Sequence, residues 1–356
     1  MKTFDCIVLT GGGTAGHVTV NLALQNSLKK HFKKIVYVGS KNGIEKNLVQ
    51  KNTCYEYKSI STVKFDRKHP LKIFSLPFKL LKCVNEAKKL LKKINPNVIF
   101  SKGGYVGLPV VIAGKHLGIP VICHESDFSL GLANRIAKHY ASVICTNFKQ
   151  TANQDKQKCI YTGSPLKLKN ENNTISKQKL GVTTSTKPVL LVTGGSLGAK
   201  AINNFVFNNL PELTKTFYVI HLVGKNNLNK EIKLNYYKQI EFSNDMPTIL
   251  NASDYAISRA GANTVVELLS NKVLTIFVPL PKGVSRGDQI ENAKYFESKN
   301  MAKVVLQEDL TIENIKKSLN YLQNNMQKIK HNIENENIVD GTNKIVDIIL
   351  KNAKKI

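Results

Sequence analysis

The chain contains 356 residues, which is enough for two domains that each bury a core of their own. An apolar content of 42% is typical of a globular protein, and 52 Lys and Arg against 25 Asp and Glu give a formal net charge of +27. No apolar run approaches the roughly 18 residues of a membrane-spanning helix, and the N-terminal residues lack the layout of a signal peptide. We therefore expect a protein of the cytoplasmic side that can still touch a membrane surface.

Charge and cysteine content restrict the ligands that the chain is expected to bind. Residues 1–160 hold 26 basic and 8 acidic side chains, a net +18, whereas residues 161–356 hold 26 and 17, a net +9. Because 48 of the 52 basic residues are Lys, part of this charge reflects composition bias and is weak evidence for a nucleic-acid partner. The six scattered cysteines form no Cys-x-x-Cys and have no paired histidines, so we expect buried thiols and no zinc site.

Along the chain, short β-rich apolar runs alternate with longer segments of helical period, as in parallel strands joined by crossover helices. The first series of predicted strands covers residues 4–10, 34–39, 97–101, 119–123 and 142–145, and the second covers residues 188–193, 217–223, 254–258, 273–278 and 302–305. A polar stretch from about Thr151 to Lys187 separates the two series. The pattern predicts two doubly wound α/β domains, residues 1–162 and 163–340, with residues 341–356 as a C-terminal helix that packs on the first domain.

Glycine-rich turns follow the first strand of each series, at residues 12–17 and 194–199, and a third follows the strand that ends at Ser101. The first turn fits the dinucleotide fingerprint, but the second strand ends in Ser40 and Lys41 where a ribose-binding acid would be needed, which disfavours NAD. Such turns present backbone N–H groups and a helix N-terminus to an anion, which indicates phosphorylated ligands. Alternatively, the glycines only allow a helix and a strand to pack closely.

Six motifs occur in one order along the chain: Gly-Gly-Thr-Ala-Gly-His at 12–17, Lys-Gly-Gly-Tyr-Val at 102–106, His-Glu-Ser-Asp at 124–127 with Gly-Leu-Ala-Asn at 131–134, Gly-Gly-Ser-Leu-Gly-Ala at 194–199, Arg-Ala-Gly-Ala-Asn-Thr-Val-Val-Glu at 259–267 and Gly-Asp-Gln-x-x-Asn-Ala at 287–293. In this set and order the chain resembles the MurG family of peptidoglycan N-acetylglucosaminyltransferases from about residue 4 to residue 350. The resemblance implies the GT-B fold, in which two Rossmann-like domains face a deep cleft.

The resemblance also implies a reaction and its partners. N-acetylglucosamine would pass, with inversion, from UDP-N-acetylglucosamine to the 4-hydroxyl of undecaprenyl-diphospho-N-acetylmuramoyl-pentapeptide (lipid I), giving lipid II for peptidoglycan biosynthesis. No cofactor, no metal and no nucleic acid would be required. The protein would be peripheral on the cytoplasmic side of the cell membrane, with other cell-wall or cell-division proteins as further candidate partners.

By resemblance, the second domain binds the donor. Its turn at 194–199 would hold the diphosphate with help from Ser196, the backbone near Ser243 would read the uracil, and Glu267 would accept the ribose hydroxyls. Thr264-x-x-Glu267 also spells a helix capping box, so a purely local role for Glu267 stays open. The remaining residues assigned to substrate binding in this half are Lys167, which replaces an expected Arg, Arg259, Thr264, Asp288, which departs from a Gln of relatives, and Gln289.

By resemblance, the first domain receives the acceptor. His17, at the start of the first helix, would act as the base on the attacking hydroxyl or would orient the substrate, and His124 and Glu125 are further candidates for the base. The residues assigned to substrate binding in this half are Thr14, Ala15, Gly16, Gly104, Tyr105, Asp127 and Asn134, of which Asp127 stands where relatives can carry Asn.

Residues 70–93 interleave bulky apolar side chains with seven Lys and a single acid, Glu86. Lysines of this kind bind anionic headgroups while apolar side chains enter the lipid boundary, so the segment predicts an anionic membrane surface as a partner. The alternative is a helix that faces the core and has a solvated Lys face.

Two other functions are compatible with parts of the sequence. Another GT-B enzyme that uses a UDP-sugar, such as a glycolipid glycosyltransferase or an epimerase, would share the glycine turns. A basic nucleic-acid-binding protein would use the positive charge, but the chain has only 7% aromatic residues and no recognised nucleic-acid-binding module.

Overall fold

The computed structural model describes residues 3–64, 75–166, 171–182 and 186–355. The chain divides into two compact units: Met1–Leu166 with Asp340–Ile356, and Lys167–Val339. Each unit has a parallel sheet with helices between its strands, which follows from the alternation of short apolar runs and amphipathic segments.

The first unit contains seven strands and eight helices among the described residues. Its strands are Phe4–Thr10 (β1), Phe32–Ser40 (β2), Glu56–Ile60 (β3), Val98–Ser101 (β4), Val121–Glu125 (β5), Val143–Thr146 (β6) and Cys159–Tyr161 (β7). Its helices are Ala15–Ala23 (α1), Gln25–Leu28 (α2), Ile44–Asn52 (α3), Leu76–Ile94 (α4), Gly104–His116 (α5), Leu132–Ala137 (α6), Lys149–Asn153 (α7) and a last one, Thr342–Asn352. The strand order is β3-β2-β1-β4-β5-β6-β7, and the paired strands are parallel.

The second unit has a six-stranded parallel sheet. Its strands are Val189–Thr193 (β8), Tyr218–Leu222 (β9), Tyr237–Ile240 (β10), Tyr255–Ser258 (β11), Leu274–Phe277 (β12) and Lys303–Val304 (β13), in the order β10-β9-β8-β11-β12-β13. Its helices are Asn173–Lys179 (α8), Lys200–Thr216 (α9), Met246–Ala252 (α10), Ala262–Ser270 (α11), Asp288–Ser298 (α12), Ile312–Asn324 (α13) and Met326–Glu336 (α14). The helix Thr342–Asn352 of the first unit is therefore α15.

All ten strands predicted from the sequence are present, and three further strands were missed. The missed strands β3, β7 and β10 are short or polar and pair with only one neighbour in their sheets. An edge strand is covered on fewer sides than a central one, so its sequence lacks the continuous apolar run that marks β1 or β8. The predicted class of two doubly wound α/β domains is confirmed.

The core of the first unit includes the C-terminal helix α15. Ile345, Val346 and Ile349 are buried in the same apolar cluster as Leu24 of the α1–α2 corner and Phe100 of β4. The chain leaves this unit after Leu166 and returns to it at Asp340. These two points are adjacent, since the Leu166 N–H donates to the Asp340 carboxylate at 3.0 Å. The five cysteines other than Cys54 are buried, and all six are free thiols.

In both sheets the glycine turns lie at the carboxyl ends of the strands. In the first unit β1 pairs with β4, and in the second unit β8 pairs with β11, so the order of connection reverses between these neighbouring strands. Ligands of open α/β sheets bind at such a reversal, beyond the carboxyl ends of the strands.

Candidate functional site

The turn that follows β1 meets the turn that follows β4. The Lys102 N–H donates to the Thr10 carbonyl at 2.9 Å, which continues the pairing of the two strands to the start of the turns. A Cβ on Gly13 would lie 2.5 Å from the Tyr105 ring, and one on Gly104 would lie 2.5 Å from the Gly12 carbonyl. Gly13 and Gly104 also have φ of +87° and +76°, a region that disfavours other residues. These two turns can therefore approach one another only because they are built from glycine.

The start of α1 lies open beside these turns. Thr14 and Gly16 are exposed and Ala15 is half-buried, and no side chain caps the helix. The N–H groups at the start of a helix can bind an anion. The structure thus brings Thr14, Ala15 and Gly16 to the same place as Gly104 and Tyr105.

His17 projects from this first turn of α1. Its Nδ1 lies 2.9 Å from the Gly12 carbonyl oxygen, which can only accept, so Nδ1 carries the proton and Nε2 keeps a free lone pair. Burial lowers the pKa of His17 and the Lys102 ammonium lowers it further. A neutral imidazole with an available Nε2 has the form that a general base needs near pH 7.

His124 and Glu125, at the end of β5, are placed differently. His124 is fully buried, its Nε2 lies 3.1 Å from the Gly163 carbonyl, and burial holds its pKa well below the usual value. The Glu125 carboxylate accepts hydrogen bonds from the Asp127 and Gly131 N–H groups at 3.1 and 2.8 Å. Both side chains thus hold the backbone around this strand end.

Asn134 connects this strand end to the second glycine turn. Its Nδ2 donates to the His124 carbonyl at 3.1 Å and to Glu125 at 3.0 Å, and a Cβ on Gly103 would lie 2.8 Å from its Oδ1. That oxygen is buried and has no hydrogen-bond partner among the described residues. Asn134 therefore offers an unused acceptor beside Gly103, while Asp127 is half-buried in the adjoining loop.

Glu45 is a site residue that the sequence reasoning missed. This fully buried carboxylate of α3 accepts hydrogen bonds from the Ser40 N–H at 3.0 Å, the Ser40 hydroxyl and the Gly13 N–H at 3.4 Å. A Cβ on Gly12 would lie 2.7 Å from its carboxyl carbon. Glu45 thus holds the first glycine turn from behind. The only local signal is an acid after Gly39 and Gly43, which motif spacing does not identify.

In the second unit, the turn after β8 has a similar form. Gly195 and Gly198 have φ of +86° and +74°, Ser196 is exposed, and α9 begins at Lys200 with no side-chain cap. A Cβ on Gly198 would lie 2.0 Å from the Val223 carbonyl, which also accepts from Asn203 Nδ2 at 2.8 Å. The turn is therefore fixed against β9 and leaves an open helix N-terminus for an anion.

Arg259 follows β11, the neighbour of β8, and its guanidinium serves the protein's own backbone. Nη1 donates to the carbonyls of Val278 and Pro279 at 3.0 Å each, and Nη2 donates to Gln307. The side chain is buried, and desolvation lowers its pKa. Arg259 therefore positions the segment after β12, and these two nitrogens are already engaged.

The capping-box interpretation of Glu267 is wrong. Helix α11 begins at Ala262 with Gly261 as its N-cap, so Thr264 lies inside the first turn and cannot cap the helix. Thr264 and Glu267 are both half-buried on this helix. The capping box is thereby excluded, and the binding role of Glu267 stays a prediction.

The other residues predicted to bind the sugar donor lie in the second unit, at the start of α12 and on loops. Asp288 and Gln289 open α12, where Arg286 Nε lies 3.5 Å from Asp288 and the Leu280 N–H donates to Gln289 at 3.2 Å. The Ser243 hydroxyl accepts from the Asp245 N–H at 3.0 Å. Lys167 lies outside the described residues.

Two further predictions concern metal binding and the basic apolar segment at residues 70–93. Within the described ranges, no three His, Cys, Asp or Glu side chains are grouped closely enough to hold a metal ion. Of the basic apolar segment, residues 70–74 lie outside the described residues, and the rest forms α4.

Helix α4 buries one face and exposes a mixed basic and apolar one. Cys83, Val84, Ala87 and Leu91 lie in the core, whereas Phe78 is 78% exposed and Leu81 is 59% exposed. The acid Glu86 accepts from the Ser61 N–H at 3.0 Å and so faces its own unit. The outer face therefore combines large apolar side chains with Lys79 and Lys82, which are also exposed.

Two Rossmann-like units, each with an open glycine turn at the point where strand order reverses, have the architecture of the GT-B class of glycosyltransferases. Sequence models support this class on both halves: residues 7–146 match the glycosyltransferase family 28 N-terminal domain and residues 189–349 match the glycosyltransferase family 28 C-terminal domain. The chain belongs to glycosyltransferase family 28, and the predicted GT-B fold is confirmed.

Individual relatives are similar over nearly the whole chain. The UDP-N-acetylglucosamine–N-acetylmuramyl-(pentapeptide) pyrophosphoryl-undecaprenol N-acetylglucosamine transferase of Clostridium botulinum (strain Kyoto / Type A2) is 44% identical over 352 residues, which cover 98% of this chain and 99% of that protein. The transferase of the same name from Clostridium perfringens is 44% identical and covers 99% of both chains. The crystal structure of Acinetobacter baumannii MurG superposes with a TM-score of 0.76 at 26% identity, covering 98% of this chain and 99% of that one. The resemblance to the MurG family is thereby confirmed.

Proposed function

We propose that this protein transfers N-acetylglucosamine from UDP-N-acetylglucosamine to the 4-hydroxyl of lipid I, with inversion, and so makes lipid II for peptidoglycan. The observation that carries the proposal is the 44% identity over 98% of the chain to a transferase whose name specifies this donor and this acceptor. The chain has a glycine turn for a phosphate in each unit, as a reaction between two diphosphate-bearing substrates needs.

The donor is assigned to the second unit. The diphosphate would lie at the N-terminus of α9 against the turn 194–199, with Ser196 as a further donor. Glu267 would accept the ribose hydroxyls, the backbone near Ser243 would read the uracil, and Gln289 would bind the sugar. Arg259 would act through the loop it holds, because its nitrogens bond Val278 and Pro279.

The acceptor is assigned to the first unit, with His17 as the base. Nε2 would remove the proton from the 4-hydroxyl as this oxygen attacks C1 of the sugar, and the bond from C1 to the UDP oxygen would break on the opposite side. The Nδ1 bond to Gly12 fixes the ring and would stabilise the imidazolium that forms. The negative charge that grows on UDP would be stabilised by helix N-termini.

The same unit is proposed to contact the membrane through α4. No helix in the described part of the chain has the length and apolarity to cross a bilayer. The exposed Phe78 and Leu81, set among lysines, would enter the boundary of an anionic leaflet, where lipid I resides. A peripheral location on the cytoplasmic side would follow. Contact with other cell-wall or cell-division proteins stays a prediction.

The test is incubation of the full chain with UDP-N-acetylglucosamine and a lipid I analogue, followed by mass spectrometry of the products. We expect one N-acetylhexosamine to be added to the acceptor and UDP to be released in equal amount. A reaction with UDP-N-acetylglucosamine alone serves as the control, because an epimerase would alter the sugar without an acceptor. Transfer to other glycolipids but not to the lipid I analogue would contradict the proposal.

A further inference from the structure

Lys102 is a buried cation beneath the paired glycine turns. Lys102 is 2% exposed and follows directly on β4. Its backbone N–H donates to the Thr10 carbonyl at 2.9 Å. Within the described part of the chain, no hydrogen bond and no ion pair engages its ammonium group. Burial lowers the pKa of Lys102 and so disfavours the charged ammonium, which an anion supplied from outside the chain would stabilise.

The other buried charges near these turns and across the second unit have partners in the protein. Glu45 accepts from Ser40 and Gly13, Glu125 accepts from Gly131 and the Asp127 backbone, and Arg259 donates to carbonyls. Lys102 differs from them, because among the described residues Glu125 and Asp127 act electrostatically on its ammonium but neither forms an ion pair with it. Hence the local acids do not satisfy this lysine.

The position of the charge follows from the groups that it affects. The Lys102 ammonium lowers the pKa of His17, at the start of α1, and that of His124, at the end of β5. A Cβ on Gly11 would lie 3.0 Å from the Lys102 Cβ, and one on Gly104 would lie 2.9 Å from His17 Nδ1. Lys102 therefore packs against the first glycine turn at Gly11, directly precedes the thirteen-residue helix α5, and acts electrostatically on His17 at the start of α1.

We propose that Lys102 is the counter-charge for the diphosphate of the acceptor, held where the two glycine turns of the first unit meet. The inference rests on the proposed function, which supplies a diphosphate-linked acceptor to this unit. Backbone N–H groups and helix N-termini provide only partial charges, whereas a diphosphate carries at least two full negative charges. An ammonium group in a site with little water would provide the full positive charge that the turns lack.

The first experiment compares two acceptors with the same sugar, peptide and lipid chain, one with the diphosphate and one with a neutral linker in its place. At saturating UDP-N-acetylglucosamine, Lys102→Met should raise KM for the diphosphate acceptor by about 10- to 150-fold, the usual range for losing a bond to a charged group. KM for the neutral acceptor should not change. An equal rise for both acceptors, or none for either, would overturn the proposal.

The second experiment does not depend on turnover. With UDP at saturation to occupy the donor site, inorganic pyrophosphate should raise the Tm of the parent protein and of the control Lys115→Met, which replaces an exposed lysine of α5. It should leave the Tm of Lys102→Met unchanged. Without ligand, the Tm of Lys102→Met should equal or exceed that of the parent, because an uncompensated buried charge has been removed.

The two experiments separate this inference from the proposed function. A parent protein that transfers sugar to neither acceptor refutes the proposed function, and the pyrophosphate response still decides the role of Lys102. A lowered Tm of Lys102→Met together with an undiminished response to pyrophosphate assigns the lysine to the fold alone and refutes the inference.

Discussion

Acidification should destabilise the second unit through one buried histidine, His221 of β9. Its Nδ1 lies 3.0 Å from the Tyr237 hydroxyl and its Nε2 lies 3.1 Å from Asn203 Oδ1. Since Asn203 Nδ2 donates to the Val223 carbonyl, its Oδ1 accepts from Nε2–H, and Nδ1 accepts from the tyrosine. The ring is thus neutral, fully buried and bonded on both sides.

The size of the effect follows from the pKa of this ring. Burial lowers the pKa of His221 from 6.5 to about 4. As the pH falls below 6.5, His221 binds a proton in the unfolded chain but stays neutral in the folded chain. The stability that the neutral ring contributes is therefore present above pH 6.5 and is lost between pH 6.5 and pH 4. The loss reaches about 3 kcal/mol, at about 1.4 kcal/mol for each unit of pH.

The variant His221→Gln isolates this contribution. A glutamine can donate to Asn203 and accept from Tyr237 but does not titrate, so it removes the proton and retains both kinds of bond. We would measure the free energy of unfolding in urea by far-UV circular dichroism at steps from pH 7 to pH 4, for parent and variant. Carboxylates that titrate in this range are common to both proteins and cancel in the difference.

The expected result is that the parent loses about 3 kcal/mol more than the variant over this range. Parallel curves for the two proteins would refute the reasoning, because they would mean that the ring is protonated in the folded state or that the unit opens to water. The pH at which the curves diverge reports the unfolded-state pKa and should lie near 6.5.

Three further predictions concern the proposed reaction. His17→Ala should lower kcat by about 10²- to 10⁴-fold and leave UDP affinity unchanged by calorimetry, because a base acts on the acceptor; turnover within a few-fold of the parent would leave the ring a structural role only. Glu267→Ala should weaken UDP binding by about 1–3 kcal/mol, and an unaltered affinity in a folded variant would remove the carboxylate from the donor site. Phe78→Ser with Leu81→Ser should abolish the part of binding to anionic vesicles that persists at high salt, measured by sedimentation, whereas equal sedimentation of variant and parent at every salt concentration would place the membrane contact elsewhere.

The sequence was sufficient to predict the fold and most of the places where ligands are proposed to bind. Central strands such as β1 and β8 are apolar on both faces, and left-handed glycines such as Gly13 and Gly198 follow them, so both signals are local. Edge strands lack the first signal. The capping box at Thr264 was a false local match, because the helix begins two residues earlier at Ala262.

Buried charges could not be predicted in the same way. Lys102 and Glu45 look like ordinary surface residues in the sequence, which is rich in lysine. Only the tertiary structure shows that each is buried against a glycine turn, Lys102 under Gly11 and Glu45 behind Gly12. Whether such a residue has a partner depends on elements far away along the chain, which no local pattern records.

The position of α15 has a consequence for how the protein is made. The buried face of this helix, with Ile345 and Ile349, completes an apolar cluster that also contains Val20 and Phe100. A ribosome releases α15 only after the whole of the second unit, so the first unit cannot close its core until the second has been synthesised, whereas the residues of the second unit are contiguous in the nascent chain. The half of the molecule that is translated first is therefore expected to be the last to become protected from proteases, and its exposed core would be the part that needs chaperones during synthesis.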